Sequence, residues 1–271
     1  MAEITASDGT ALWVDRRGSG PSVLFSAGFC QTGENFAAHA PVLAEAGYCA
    51  VRWDYRGHGR SGAPAAASDY SMDHVQDDLG RVIDWATPEE PVVLAGLSFG
   101  GLASLHYALG HPDRVRALVL IATGPGFKKA EAQAGWEAQV GRVAKRLDES
   151  GFAGWTEGAA AEMAIGTRPE LPAARAAGEA ILAQNPRTVA HFGRRIAGPA
   201  PGLVDDLAQI AQPTLILVGA RDKAFLRAGE VMAARLPDAR HHVIPDAGHC
   251  LNLEQAGRFH ELLLDFLGEL P

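Results

Sequence analysis

Ser98 lies between glycines in the stretch G-L-S-F-G, residues 96–100. An apolar run precedes this stretch, and a helical pattern follows it. Where a strand turns sharply into a helix, the backbone at the turn is strained and only small neighbours avoid clashes. A helix N-terminus behind the serine also favours developing negative charge. The pattern therefore predicts a nucleophilic serine, with a simple helix-capping serine as the alternative.

A serine hydroxyl needs a general base, and His249 is the best placed of the ten histidines. It lies in a loop after the last strand pattern, at the sheet edge where sites gather in α/β proteins. Asp222 ends another buried strand pattern at that edge, so we expect it to orient the imidazole. The alternatives are a plain turn residue or a partner for Arg221. Asp54 and Asp246 are the rival acids, although Asp246 is too near His249 in sequence to reach its ring easily.

Acyl chemistry also needs amide donors for the oxyanion of the tetrahedral intermediate. We predict the backbone N–H of Phe99, which directly follows the serine, as one donor. The N–H of Phe29, in the loop after an earlier strand pattern, is the predicted second donor. Gly28 would let this backbone approach the substrate, and His58, in a glycine-rich loop, is a further candidate for lining the site.

Apolar runs and helical patterns alternate along much of the chain. The predicted strands are residues 48–53, 91–97, 116–123, 214–219 and 241–244. Most are continuous Val, Ile and Leu runs, which are typical of strands buried on both faces. The predicted helices are residues 72–86, 99–110, 225–236 and 253–268. This alternation predicts an α/β domain with a mostly parallel central sheet flanked by helices. Residues 11–14 and 22–26, on either side of a turn-rich stretch, are predicted to form a hairpin.

One long segment interrupts this alternation, because residues 125–200 contain only alanine-rich helical patterns. Asn185 before Pro186 predicts the start of a helix there. We therefore divide the chain into an α/β core, residues 1–124 and 203–271, and an all-helical cap, residues 125–202. The candidate substrate-pocket residues are Gly28, Phe127, Trp136, Trp155 and Met163. Packing within the cap is the alternative role for the aromatic residues and the methionine.

Composition narrows the possible partners of this 271-residue chain. The net charge of −8 argues against nucleic acid and anionic membranes as partners. The N-terminus has no signal-peptide pattern, and no apolar run approaches the length of a membrane helix. The three cysteines, Cys30, Cys49 and Cys250, form no metal-ligand pattern and suit a reducing compartment. We expect a cytoplasmic monomer or homodimer that acts on a small molecule without metal or cofactor.

Together these motifs resemble those of the α/β-hydrolase superfamily, and the resemblance covers nearly the whole chain. The motifs are residues 96–101, residues 54–61 with the sequence D-Y-R-G-H-G-R-S, residues 219–222 and residues 247–249. The resemblance implies the α/β-hydrolase fold, a helical cap and the chain order of the triad, Ser98, Asp222 and His249.

One departure from the superfamily is Ala27-Gly28, where many members have His-Gly. Members that resemble enol-lactone hydrolases also lack this histidine, which points to small lactone or ester substrates. A serine at position 98 argues against the haloalkane dehalogenase and epoxide hydrolase branches, which use an aspartate there.

Three functions remain open from the sequence. The first is a serine hydrolase of small esters, lactones or related acyl compounds, acting through an acyl-enzyme on Ser98. The second is a carbon–carbon bond hydrolase of a diketone-type substrate with the same triad. Asn35, Arg194 and Arg195 are its candidate binding residues, although the arginines also fit a solvated helix face. The third is a small-ligand receptor on the same scaffold, because fold does not fix function.

Overall fold

One eight-stranded sheet runs through the molecule. The computed structural model describes residues 1–270, with the backbone alone at residue 159. The strands are β1 (Ala2–Thr5), β2 (Ala11–Arg17), β3 (Ser22–Ser26), β4 (Cys49–Trp53), β5 (Val92–Leu97), β6 (Val115–Ile121), β7 (Thr214–Gly219) and β8 (Ala239–Ile244). Their order is β1-β2-β4-β3-β5-β6-β7-β8. Strands β3 to β8 run parallel, and β1 and β2 are antiparallel at one edge, which confirms the predicted mostly parallel sheet.

Ten α-helices connect and flank these strands in the described part of the chain. They are α1 (Ala40–Glu45), α2 (Met72–Ala86), α3 (Phe99–Gly110), α4 (Ala130–Ser150), α5 (Gly158–Ala164), α6 (Pro172–Leu182), α7 (Pro186–Phe192), α8 (Lys223–Arg235), α9 (Leu251–Glu254) and α10 (Ala256–Gly268). Asn185 caps α7 as predicted, because its side-chain oxygen accepts the N–H of Arg187 at 3.0 Å. The last predicted helix is divided into α9 and α10.

The predicted hairpin between β2 and β3 is wrong. β2 pairs with β1 and β4, whereas β3 lies between β4 and β5 as a parallel strand. The connecting turn packs on the segment that leads into β4. At Gly18, with φ of +93°, a Cβ atom would lie 2.3 Å from the carbonyl oxygen of Tyr48. β3 is buried along its whole length, which suits the middle of a parallel sheet better than a hairpin with one exposed face.

Side chains cover the sheet on both faces. α2, α3 and α8 contribute to the core on one face, and α1 and α10 contribute to the core on the other. Between β6 and β7 lie α4, α5, α6 and α7, and we call this segment the helical insertion. Its own apolar cluster includes Cys30 and Cys250 from two loops at the carboxyl edge of the sheet. The insertion therefore packs against that edge.

None of the helices in residues 1–270 is both long enough and apolar enough to cross a membrane.

Candidate active site

Ser98 forms the turn between β5 and α3. Its φ of +53° and ψ of −116° put a non-glycine residue in the left-handed half of backbone space. The turn holds because its neighbours permit close approach: a Cβ atom on Gly100 would lie 2.1 Å from the carbonyl oxygen of Ser26. The carbonyl oxygen of Ser98 accepts the Thr123 hydroxyl at 2.5 Å. The strained turn is thus fixed by backbone packing and by a side-chain hydrogen bond.

His249 and Asp222 lie together at the same edge of the sheet. Asp222 follows β7 and His249 follows β8, just as Ser98 follows β5. The imidazole Nδ1 is 2.8 Å from Asp222 Oδ2, and both residues are only 5% exposed. A carboxylate can only accept, so Nδ1 carries the proton and Nε2 is left as an acceptor. That tautomer is the one a general base requires.

The other acids considered for this role have different partners. Asp246 accepts from Arg221 Nη2 at 2.7 Å on the surface, so Arg221 is not paired with Asp222. Asp54 accepts the N–H groups of Gly33 at 2.7 Å and Arg60 at 2.9 Å. It therefore stabilises its own loop.

The loop after β3 brings Gly28 against the serine. A Cβ atom on Gly28 would lie 3.3 Å from the Cβ of Ser98, so any larger residue would crowd the nucleophile. The N–H of Phe99 belongs to the first turn of α3, where amides lack intrahelical acceptors. The assignment of the Phe29 and Phe99 amides to the oxyanion hole stays a prediction.

Sequence analysis did not identify Gln31, which connects this loop to its surroundings. Its Oε1 accepts the N–H of Gly28 at 2.9 Å. Its Nε2 donates to the carbonyl oxygen of Ala164 at 3.0 Å and lies 3.4 Å from Cys250 Sγ. The side chain thus joins the loop beside the serine to the insertion and to the residue after His249. No motif contains Gln31, and its contacts with Ala164 and Cys250 are distant in sequence, so no local signal indicates them.

A cluster of rings lies beside the predicted oxyanion residues. The ring of Phe192, at the end of α7, is 4.6 Å from that of His58, 5.1 Å from that of Phe99 and 6.4 Å from that of Phe29, between centroids. His58 is 1% exposed, and burial lowers its pKa from 6.5 to about 4. Its imidazole is therefore neutral at pH 7, and these surroundings are apolar.

The predicted pocket residues of the insertion have identifiable neighbours. Phe127 and Trp136 face each other with ring centroids 6.2 Å apart, and Trp136 Nε1 donates to the Ala197 carbonyl at 2.9 Å. Trp155 packs on Phe152 at 5.3 Å between centroids. The Met163 side chain is exposed. Their part in a substrate pocket, like that of Gly28, stays a prediction.

The polar residues considered for a diketone substrate differ in their exposure and have partners within the protein. Asn35 is buried, and its Oδ1 accepts from Asn252 Nδ2 at 2.7 Å. Arg194 and Arg195 are exposed, and Arg194 pairs with Asp148. This placement favours a solvated helix face for the two arginines.

In residues 1–270, no group of three or more His, Cys, Asp or Glu side chains is placed to hold a metal ion.

Comparisons with known proteins agree with this architecture. A family model described as alpha/beta hydrolase fold matches residues 21–256. A pimeloyl-(acyl-carrier protein) methyl ester esterase from Chromobacterium violaceum is 32% identical over 94% of this chain and 98% of its own length. Among solved structures, an esterase from Exiguobacterium antarcticum superposes with a TM-score of 0.85 at 26% identity, covering 99% of both chains. MenH from S. aureus superposes with a TM-score of 0.83 at 25% identity, covering 94% of this chain and 98% of its own. The predicted fold class is confirmed.

Proposed function

We propose that this chain, which belongs to the α/β-hydrolase family, is a serine hydrolase of small carboxylic esters or lactones. The observation that carries the proposal is the buried pair of His249 and Asp222 at the strand edge where Ser98 occupies a strained turn. The similarity to two esterases, one of which acts on a methyl ester, supports an ester-type substrate.

The reaction follows from the hydrogen-bond roles at this edge. Nε2 of His249 takes the proton of Ser98 as Oγ attacks the carbonyl carbon, and Asp222 stabilises the resulting imidazolium. The Phe29 and Phe99 amides donate to the oxyanion. The C–O bond to the leaving group then breaks, and His249 returns the proton to the departing oxygen. Water, deprotonated by His249, hydrolyses the acyl-enzyme and releases the acid.

The helical insertion acts as a cap in this proposal, consistent with residues 125–202 predicted from the sequence. Phe192 packs on the side chains of Phe29 and Phe99, whose amides are the predicted oxyanion donors. Because aromatic rings pack against the predicted oxyanion residues, these surroundings favour an uncharged acyl group. We therefore favour ester or lactone cleavage over hydrolysis of a polar diketone-type substrate.

Replacement of the nucleophile tests this function. Ser98→Ala should lower kcat on a short p-nitrophenyl ester by at least about 10³-fold, because the covalent route is lost. A fluorophosphonate probe should label the wild type and leave Ser98→Ala unlabelled.

The matched control is Ser104→Ala, another serine of the same chain segment, in α3. Ser104 is fully buried and donates to the carbonyl of Gly100 at 2.8 Å. This variant should keep kcat within about threefold and remain labelled, since its hydroxyl only bonds its own helix. Activity of Ser98→Ala within about tenfold of wild type would exclude the triad assignment.

A further inference from the structure

Glu254 is a buried carboxylate that the proposed reaction does not use. It ends α9, five residues beyond His249, and is 2% exposed. Its Oε2 accepts two hydrogen bonds, from the N–H of Gly248 at 2.9 Å and from the hydroxyl of Thr167 at 2.6 Å. Burial of a carboxylate is unfavourable unless donors satisfy it, so these two bonds define its place.

The peptide unit between Ala247 and Gly248 is hydrogen-bonded on both sides, and the bond from Gly248 to Glu254 is one of the two. The N–H of Gly248 and the carbonyl of Ala247 belong to the same planar group and point to opposite sides. That carbonyl accepts the N–H of Arg221 at 2.9 Å. The peptide that leads into His249 is therefore held by Glu254 on one side and by the residue before Asp222 on the other.

The bond to Thr167 extends this arrangement to the helical insertion. Thr167 follows α5, and its neighbour Arg168 donates from Nη1 to the backbone carbonyl of Glu254 at 3.4 Å. There is little free space around the carboxylate: a Cβ atom on Gly166 would lie 2.7 Å from Oε1, and one on Gly248 would lie 3.2 Å away. A shift of residues 166–168 would therefore displace the carboxylate and the peptide bound to it.

We propose that Glu254 is a positioning residue. It holds His249 in the position in which the imidazole binds Asp222, and it couples that position to the docking of the helical insertion. The inference rests on the proposed serine-hydrolase function. Glu254 acts through the Gly248 amide and takes no part in bond making.

Three variants test this role in the ester assay. Glu254→Ala leaves the Gly248 amide without its acceptor, so kcat should fall about 10- to 100-fold while KM stays within about threefold. Glu254→Gln keeps an oxygen acceptor and should restore kcat to within about fivefold of wild type. Thr167→Val removes the hydroxyl bond to the carboxylate and keeps the bond from Arg168, so it should lower kcat several-fold, less than Glu254→Ala does.

The control is Glu261→Ala on α10, because Glu261 is exposed and pairs with Arg258, one turn earlier in the same helix, at 2.7 Å. It should leave kcat unchanged. Glu254→Ala with wild-type kcat, or Glu254→Gln as impaired as Glu254→Ala, would overturn the proposal. If Glu254→Ala does not fold, Thr167→Val decides, and a wild-type kcat there overturns the coupling to the insertion.

Ser98→Ala in the same assay separates the two proposals. If Ser98→Ala is inactive and the Glu254 variants behave as wild type, only the positioning role fails. If Ser98→Ala stays active, the serine-hydrolase function fails, and the positioning role fails with it.

Discussion

Asp222 directly precedes α8, at its N-cap position, and its side chain makes no capping hydrogen bond to that helix. Its carboxylate accepts from His249 Nδ1 instead, while the ring of Phe225, from the first turn of α8, lies 5.0 Å from the imidazole between centroids. A helix-start aspartate normally satisfies backbone donors of its own helix. Here the side chain is directed to the imidazole, which fixes both the tautomer and the orientation of the base.

Asp222→Asn tests whether the carboxylate fixes the tautomer of His249, because it replaces one carboxylate oxygen with an amide NH2 group. The amide can donate to Nδ1, which would move the proton to Nε2 and remove the acceptor for the serine hydroxyl. We expect kcat on a short ester to fall by about 10⁴-fold with the fold intact. Asp246→Asn is the control, because Asp246 pairs with Arg221 on the surface, and it should change kcat by less than about twofold. A small effect of Asp222→Asn would assign the orienting role to another group.

Single residues also mark the limit of what the sequence predicts. Ser98, Asp222 and His249 each follow an apolar strand pattern, so periodicity places them at one edge. Gln31 and Glu254 contact residues of the insertion, far away in the chain. Such contacts leave no local pattern, because they depend on how the insertion docks on the loops.

At the scale of elements, buried parallel strands are predicted well and their partners are not. β7 coincides with the predicted residues 214–219, because its six residues are all buried and most are branched and apolar. The hairpin prediction failed because a turn between two apolar runs does not determine which strands pair. β2 and β3 each pair with β4 and not with each other. β1 was not predicted, since its four residues are mostly exposed and lack an apolar run.

The backbone of α3 approaches that of β3 closely at Gly100. Gly100→Ala would place a Cβ 2.1 Å from the backbone oxygen of Ser26, which cannot move without displacing β3. We expect the free energy of unfolding to fall by about 3 kcal/mol in urea denaturation. Gly110→Ala, in the same helix with no atom within 4 Å of the new Cβ, should be neutral or stabilise by up to about 1 kcal/mol. Equal stability of the two variants would contradict this packing.

Two kinds of buried titratable group stand out in the described residues: an arginine–aspartate ion pair and two histidines with lowered pKa values. Arg56 and Asp78, both fully buried, form a two-pronged ion pair at 2.6 and 2.7 Å that ties the loop after β4 to α2. His39 and His58 are equally buried, and burial lowers their pKa values to about 3 and about 4. Each ring is therefore protonated less readily in the folded protein than in the unfolded chain.

This burial predicts acid sensitivity with a defined sign. The unfolded chain protonates His58 below its ordinary pKa of 6.5, whereas the folded protein does so only near pH 4. The unfolded state therefore binds more protons in that window, and stability falls as the pH is lowered from 6.5 towards 4.

His58→Leu removes this contribution and keeps an apolar side chain among the rings. The pH dependence of the unfolding free energy should become shallower than that of wild type by up to about 1.4 kcal/mol per pH unit between pH 6 and 4. Denaturant titrations of both proteins at pH 7, 6 and 5 measure this pH dependence. The difference between their unfolding free energies at pH 7 gives the effect of the substitution on packing. Other titrating groups cancel in the comparison, so parallel curves would mean that His58 becomes protonated in the folded protein as readily as in the unfolded chain.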